Sequence, residues 1–175
     1  MSSLVDAAEA LRAQTTRAPA AEQVRTALLV CRVGGAWLAF EAEHVQAILE
    51  ARAPAPVPQT PPHVLGVISH GEGALAVVDL AAFLHLGNSH DLRAGPSEAM
   101  ALERIVVVAA NGLQAGLLCN NVSGEREVTG TLPAPRGVLQ GERLTPFLVA
   151  ELPEAEGVVG VLATAPLLEA LRVKA

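Results

Sequence analysis

Ser69-His70, Asp79, the histidines His44, His63, His85 and His90, and the cysteines Cys31 and Cys119 are the residues whose types could do chemistry in this chain. Nucleophilic catalysis needs a base brought across space to the nucleophile and an acid to orient that base. Adjacency of Ser69 and His70 supplies neither. Asp79 ends an apolar run, where a carboxylate accepts backbone N–H groups from the next turn. A β-barrel enzyme or ligand binder would need His44, His70 and Asp79 to converge in a deep polar pocket. The histidines show no HExxH spacing and no pairing with cysteine, so no metal site and no cofactor are expected. Gly71-Glu72-Gly73 lacks a third glycine and leads into an apolar run, which makes it a poor phosphate cradle. Both cysteines sit inside apolar runs and read as buried, reduced thiols. With no assembled constellation, the chain reads as a binding module and not an enzyme.

Bulk properties narrow the class. The 175 residues carry a net charge of −6, and the 12 basic residues are scattered and include one lysine, Lys174. Nucleic-acid binding rests on clustered cations, so it is not expected. No apolar run approaches the ~20 residues of a membrane span, and the N-terminus lacks the order of a signal peptide; a cytoplasmic protein is expected. Apolar residues make up 51% of the chain, carried by Val, Leu and Ala, with three Phe, one Trp and no Tyr. Small branched side chains with 15 Gly and 12 Pro suit short strands joined by many turns, as in compact barrels.

Residues 1–24 form a helical or frayed tail. Ala27–Phe40 is a hairpin about Gly34-Gly35. Val45, Ile48 and Leu49 fall at helical spacing, which predicts a short amphipathic helix over Glu41–Glu50. Five prolines make Arg52–Pro62 a stiff, extended connector. Val64–Gly87 then reads as strand, Ser69–Gly73 turn, strand and a short helix. Asn88–Ala101 is a polar loop. Arg104–Cys119 is a hairpin about Asn111-Gly112. A strand over Asn120–Thr131, a loop over Leu132–Gly141, strands at Leu144–Val149 and Gly157–Leu162, and a helix at Ala165–Val173 capped by Thr164 complete the chain. Aligning Gly34-Gly35 with Asn111-Gly112 superposes the two hairpins and sets Val45 over Val122, the mark of two related β-lobes.

Gly66-Val67, a turn, an apolar strand and Val78-Asp79-Leu80 together resemble the signature of the CheW-like domain, the chemotaxis coupling-protein family. That family shows GV, an Asn-x-Arg-Gly turn and an apolar strand ending in hydrophobic-Asp-Leu, at the spacing seen from Gly66 to Leu80. His44–Ile48 resembles its x-Val-x-x-Ile helix, and the likeness covers residues 25–173. It implies a mainly β fold: two intertwined SH3-like five-stranded β-barrels with short helices and a C-terminal helix, in one domain. It implies an adaptor without catalysis, linking the signalling tip of chemoreceptors to the regulatory domain of the histidine kinase CheA, with other CheW-like proteins as further partners. By position, Val45, Ile48, Val64, Gly66, Val67 and the turn residues Ser69, Gly71 and Glu72 would border a groove between the lobes that takes receptor helices. Val45 and Ile48 read equally as core residues, and Gly66 equally as a point of close backbone approach.

The turn departs from the family pattern. Ser69 stands for the Asn, Gly71 for the Arg and Glu72 for the Gly, while Ala47 replaces an acid and Ala76 the strand proline. Glu72 inverts the charge expected at the groove, which would weaken contact with an acidic partner. The alternative function is therefore a divergent CheW-like scaffold that recruits another motility, polarity or regulatory protein.

Overall fold

The computed structural model describes residues 24–87, 102–155 and 157–172. The expected tail over Met1–Ala21 and the loop over Asn88–Ala101 lie outside them. The protein is mainly β, built of two five-stranded sheets. The first holds β1 (Arg25–Val33), β2 (Ala36–Glu41), β8 (Asn121–Thr129), β9 (Leu148–Glu154) and β10 (Gly157–Leu162), in the order β8-β1-β2-β10-β9. The second holds β3 (Val45–Glu50), β4 (Val64–His70), β5 (Gly73–Asp79), β6 (Arg104–Ala110) and β7 (Leu113–Cys119), in the order β3-β6-β7-β5-β4. Among the described residues, the helices α1 (Leu80–Leu84) and α2 (Thr164–Leu171) each follow the last strand of one half of the chain.

The halves run the same course. Each begins with a hairpin, β1-β2 or β6-β7, and sends its third strand to the other sheet, where β3 pairs with β6 and β8 pairs with β1. Each ends with a strand parallel to the other half's hairpin, β5 beside β7 and β10 beside β2. The lobes are thus intertwined, and neither sheet is complete without strands from both halves. Side chains and connectors join the sheet edges. In the first lobe Arg126 Nε lies 3.8 Å from Glu154 Oε1 across β8 and β9. In the second, the connector after β3 lies along β4.

Hairpin strands are buried on both faces. In β1, Leu28 and Val30 face the first lobe's interior, while Leu29, Cys31 and Val33 face a core shared between lobes. In β6, Ile105 and Val107 face the second lobe's interior, while Val106 and Val108 enter the shared core. Two-sided burial turns alternation into continuous apolar runs. Leu80, Phe83 and Leu84 of α1 and Leu167, Leu168 and Leu171 of α2 fill the same shared core. Cys31 and Cys119 are free and buried there. Burial and the neighbouring Cys31 thiol, the thiol first, push the Cys119 pKa up. The β6-β7 turn has Asn111 at φ 52° and Gly112 at φ 77°. Consecutive positive φ values are what a two-residue hairpin turn of this hand requires.

Three expectations are corrected. No α-helix forms over Glu41–Glu50: Ala42–His44 is a single 3-10 turn, and Val45–Glu50 is strand β3. The strand expected at Leu144–Val149 begins only at Leu148, because Pro146 lies in a 3-10 turn over Thr145–Phe147. The strand then runs through Pro153 to Glu154, which an edge position permits. Thr164 is the first residue of α2 and not its cap; Ala163 occupies the cap position and supplies no side-chain bond. The Thr164 hydroxyl is buried without a hydrogen-bond partner. Replacing a lone buried hydroxyl with a methyl of like shape removes a desolvation cost, so Thr164→Val is expected to raise stability by about 1 kcal/mol. Urea unfolding checks this as a higher midpoint at unchanged m-value.

Candidate docking surface

The β4-β5 hairpin positions the residues that the sequence singles out. Its tip is Gly71-Glu72, with Gly71 at φ 58°, and both residues are exposed. His70 pairs with Gly73 beside that tip, while Asp79 ends the hairpin at its other end. About 20 Å of strand separates them, at about 3.3 Å per residue. His44 lies in the 3-10 turn before β3. The three do not meet. Asp79 instead caps α1, its Oδ1 accepting the Ala82 N–H at 3.1 Å. Burial pushes its carboxyl up, against the opposing pull of the Ala82 and Ala81 N–H groups. His44 Nδ1 lies 3.8 Å from Glu41 and its Nε2 lies 3.8 Å from Glu43, both longer than a hydrogen bond. The cavity at the mouth of the first lobe, lined by Val30, Trp37, Ser123, Arg126, Glu154 and Val159, holds about 160 Å³.

Val64 is buried and lines a groove of about 210 Å³ between the second sheet and the end of α2, with Ala76, Val78, Leu113, Leu168 and Leu171. Val67 is half-buried and pairs with Ala76, so the outer face of β4 carries that groove toward its own edge. There the connector covers the free edge of β4. Ala55 forms an isolated bridge with Val67, the Ala55 N–H donating to Val67 O at 2.8 Å and the Val67 N–H to Ala55 O at 2.9 Å. Gly66 makes the approach possible. It sits at φ 144°, and a Cβ there would stand 2.2 Å from Ala55 O. Two residues beyond the bridged Val67, toward the turn, Arg52 Nη2 donates to the carbonyl of exposed Ser69. β3, the connector over residues 51–57 and β4 thereby form one seam.

Across the seam the β3 side chains are sorted by a bulge between Val45 and Ala47. Val45 packs on the shared core, Ala47 and Leu49 pack inside the second lobe, and Ile48 stands outward at 46% exposure. Val57 of the connector is 38% exposed. Ile48, Val67, Ser69, Gly71 and Glu72 therefore flank one seam, with Gly66 beneath it. Val64 lies in the adjoining groove, and Val45 is turned to the core. Sequence reasoning missed Arg52, although it is the single lysine or arginine between Arg32 and Arg93.

The first lobe treats its corresponding edge differently. The Glu151 N–H of β9 donates to Pro133 O at 3.1 Å, and proline has no N–H to return. The Glu151 carboxylate takes the place of that second bond. It accepts N–H groups from Arg136 at 2.9 Å, Leu139 at 3.1 Å and Val138 at 3.3 Å. Burial raises this carboxyl, but those amides and that of Gly137 outweigh it and hold its pKa below the usual range.

His63, at the end of the connector, accepts the Asp79 N–H at its backbone carbonyl at 2.8 Å and sets its ring edge-on to Phe83 at 4.9 Å. Burial first, and Arg143 second, lower its pKa from 6.5. The folded chain then binds fewer protons than the unfolded chain below that value, so stability is full above it and is lost as pH falls through the folded pKa. The unfolding temperature is expected to drop between about pH 7.5 and about pH 5.5, and to drop less in His63→Gln. Thermal melts of both proteins across that window check it.

Residues 27–171 match a family model described as the CheW-like domain. Over 108 residues the chain is 34% identical to Protein FrzA of Myxococcus xanthus, a match covering 61% of this chain and 62% of FrzA. The match thus spans less than two thirds of that relative's length. Among solved structures, the fold is similar to that of the scaffolding protein TtCheW from Thermoanaerobacter tengcongensis, with a TM-score of 0.63 at 17% identity over 80% of this chain and 90% of that one.

Proposed function

The chain belongs to the CheW-like domain family, and from that premise we propose that it is a non-enzymatic adaptor coupling chemoreceptors to a CheA-type histidine kinase in a bacterial chemosensory array. The observation that carries this reading is the family match itself, which reaches from β1 to α2. On this reading residues 25–173 act as one folded unit at the cytoplasmic face of the array. The receptor signalling tip offers a helix to the seam, where Ile48, Val57 and Val67 provide apolar contact. The kinase regulatory domain, and further CheW-like proteins, meet other edges of the lobes. Several modest interfaces on one rigid body build a lattice through effective concentration. Among the described residues no helix is long and apolar enough to cross a membrane.

A second reading rests on the turn. Exposed Gly71 and Glu72 stand where the family pattern has Arg-Gly, which fits a scaffold that has left receptors for another motility, polarity or regulatory protein. Calorimetric titration of the protein against the kinase regulatory domain and against a receptor-tip fragment, both from the same genome, separates the readings. Binding to both supports the adaptor. Binding to the kinase alone, or to neither, contradicts the adaptor and leaves the second reading.

A further inference from the structure

We propose that Arg52 is the residue with which this chain selects an acidic partner helix at the seam. The proposal rests on the adaptor reading and names the chemistry of its receptor contact. Arg52 reaches the hairpin tip from another element, 17 residues away in sequence, and is held there by its bond from Nη2 to Ser69 O. A guanidinium has five N–H donors in a planar fork, so one bond to a carbonyl leaves four to meet water or a partner. The tether fixes the fork in place and lowers the ordering cost of a further bond.

Its surroundings make it decisive. Between Arg32 and Arg93 no other lysine or arginine occurs, while exposed Glu50 and Glu72 stand on the two sides of the seam. Glu50 stands opposite Arg104 of β6, and Arg52 adds a cation on the connector side of the seam, on the same stretch of surface as exposed Ile48 and Val57 and half-buried Val67. The complement is an amphipathic helix whose apolar face is interrupted by a single carboxylate. A strand is disfavoured as the occupant on the β4 side: the Ala55 bridge already uses the Val67 backbone groups, and prolines at 54, 56 and 58 cannot donate to a ladder.

Arg52 is also exposed, so its loss does not open the core. The test titrates a chemoreceptor signalling-tip fragment from the same genome into wild type, Arg52→Lys and Arg52→Glu, at two salt concentrations, with the kinase regulatory domain as a second titrant. Wild type is expected to bind the fragment more weakly at high salt. Arg52→Glu should weaken that binding about tenfold or more, as loss of a specific ion pair does, while leaving kinase binding intact. Arg52→Lys should fall between, because an ammonium lacks the fork. Receptor affinity unchanged in Arg52→Glu overturns the proposal and leaves the adaptor reading standing. Equal loss of kinase and receptor binding also overturns it, by showing a general effect on the fold. Failure of wild type to bind the fragment removes the adaptor reading, and this proposal with it.

Discussion

Gly66→Val is expected to be among the most damaging single substitutions outside the core. At φ 144° an L side chain is strained, and the added Cβ would stand 2.2 Å from Ala55 O and 2.7 Å from Ala55 C. Backbone cannot yield as a flexible side-chain end does, so the connector must leave β4. Strain of this kind costs about 1–3 kcal/mol. The two Ala55–Val67 bonds go with it, at about 0.5–1.5 kcal/mol each. A total of about 2–6 kcal/mol is expected, read as a lower urea midpoint. Because the connector carries Arg52 to the turn, Gly66→Val should also weaken partner binding under conditions where it remains folded. A midpoint within about 0.5 kcal/mol of wild type would mean that the close approach contributes nothing, as for an ordinary surface site.

Ile48→Asp is expected to act in the opposite proportion. Ile48 is 46% exposed on an edge strand, and Val106, opposite it on β6, is already buried by the shared core. Its loss should therefore cost stability about 1 kcal/mol or less, the span of strand propensity. As an apolar anchor beside Glu50 and Glu72, however, it becomes a third acid facing an acidic helix. A loss of about 2 kcal/mol of binding free energy, about thirtyfold in affinity, is expected for an anchor of this kind. Parallel melts and titrations separate the two effects. Unchanged receptor affinity in Ile48→Asp would place the docking surface elsewhere, with the groove beside Val64 as the next site to mutate.

What the sequence made legible follows from burial. Leu28–Val33 and Ile105–Val108 face apolar surroundings on both sides, so composition alone marks them as strands, and Asn111-Gly112 marks the turn between two such runs. The shared course of the two halves shows already in the superposition of their hairpins. β3 was hidden by its bulge. A strand that alternated cleanly would set Val45 and Ile48 on opposite faces. The slip at Val45 and Ala47 sends Val45 to one core and Leu49 to another, and the resulting 45, 48, 49 spacing imitates a helix. β9 was hidden by Pro146 and Pro153, whose cost depends on an edge position that no local pattern reveals. Thr164 has the right residue type for a cap and stands one position too late. At the candidate site, Glu72 was legible as a charge but Arg52 was not legible as part of the site, because only the folded connector brings residue 52 to residue 69.

Adaptor function makes a claim that pairwise binding does not exhaust: both partners must be held at once by one copy of this chain. The most direct measurement is size-exclusion chromatography with light scattering of the chain mixed with the kinase regulatory domain and the receptor-tip fragment. One complex containing all three is expected, which forms only when this protein is present and from which Arg52→Glu releases the receptor fragment. Separate binary complexes that exclude each other, or a receptor–kinase complex that forms equally without this protein, would contradict it.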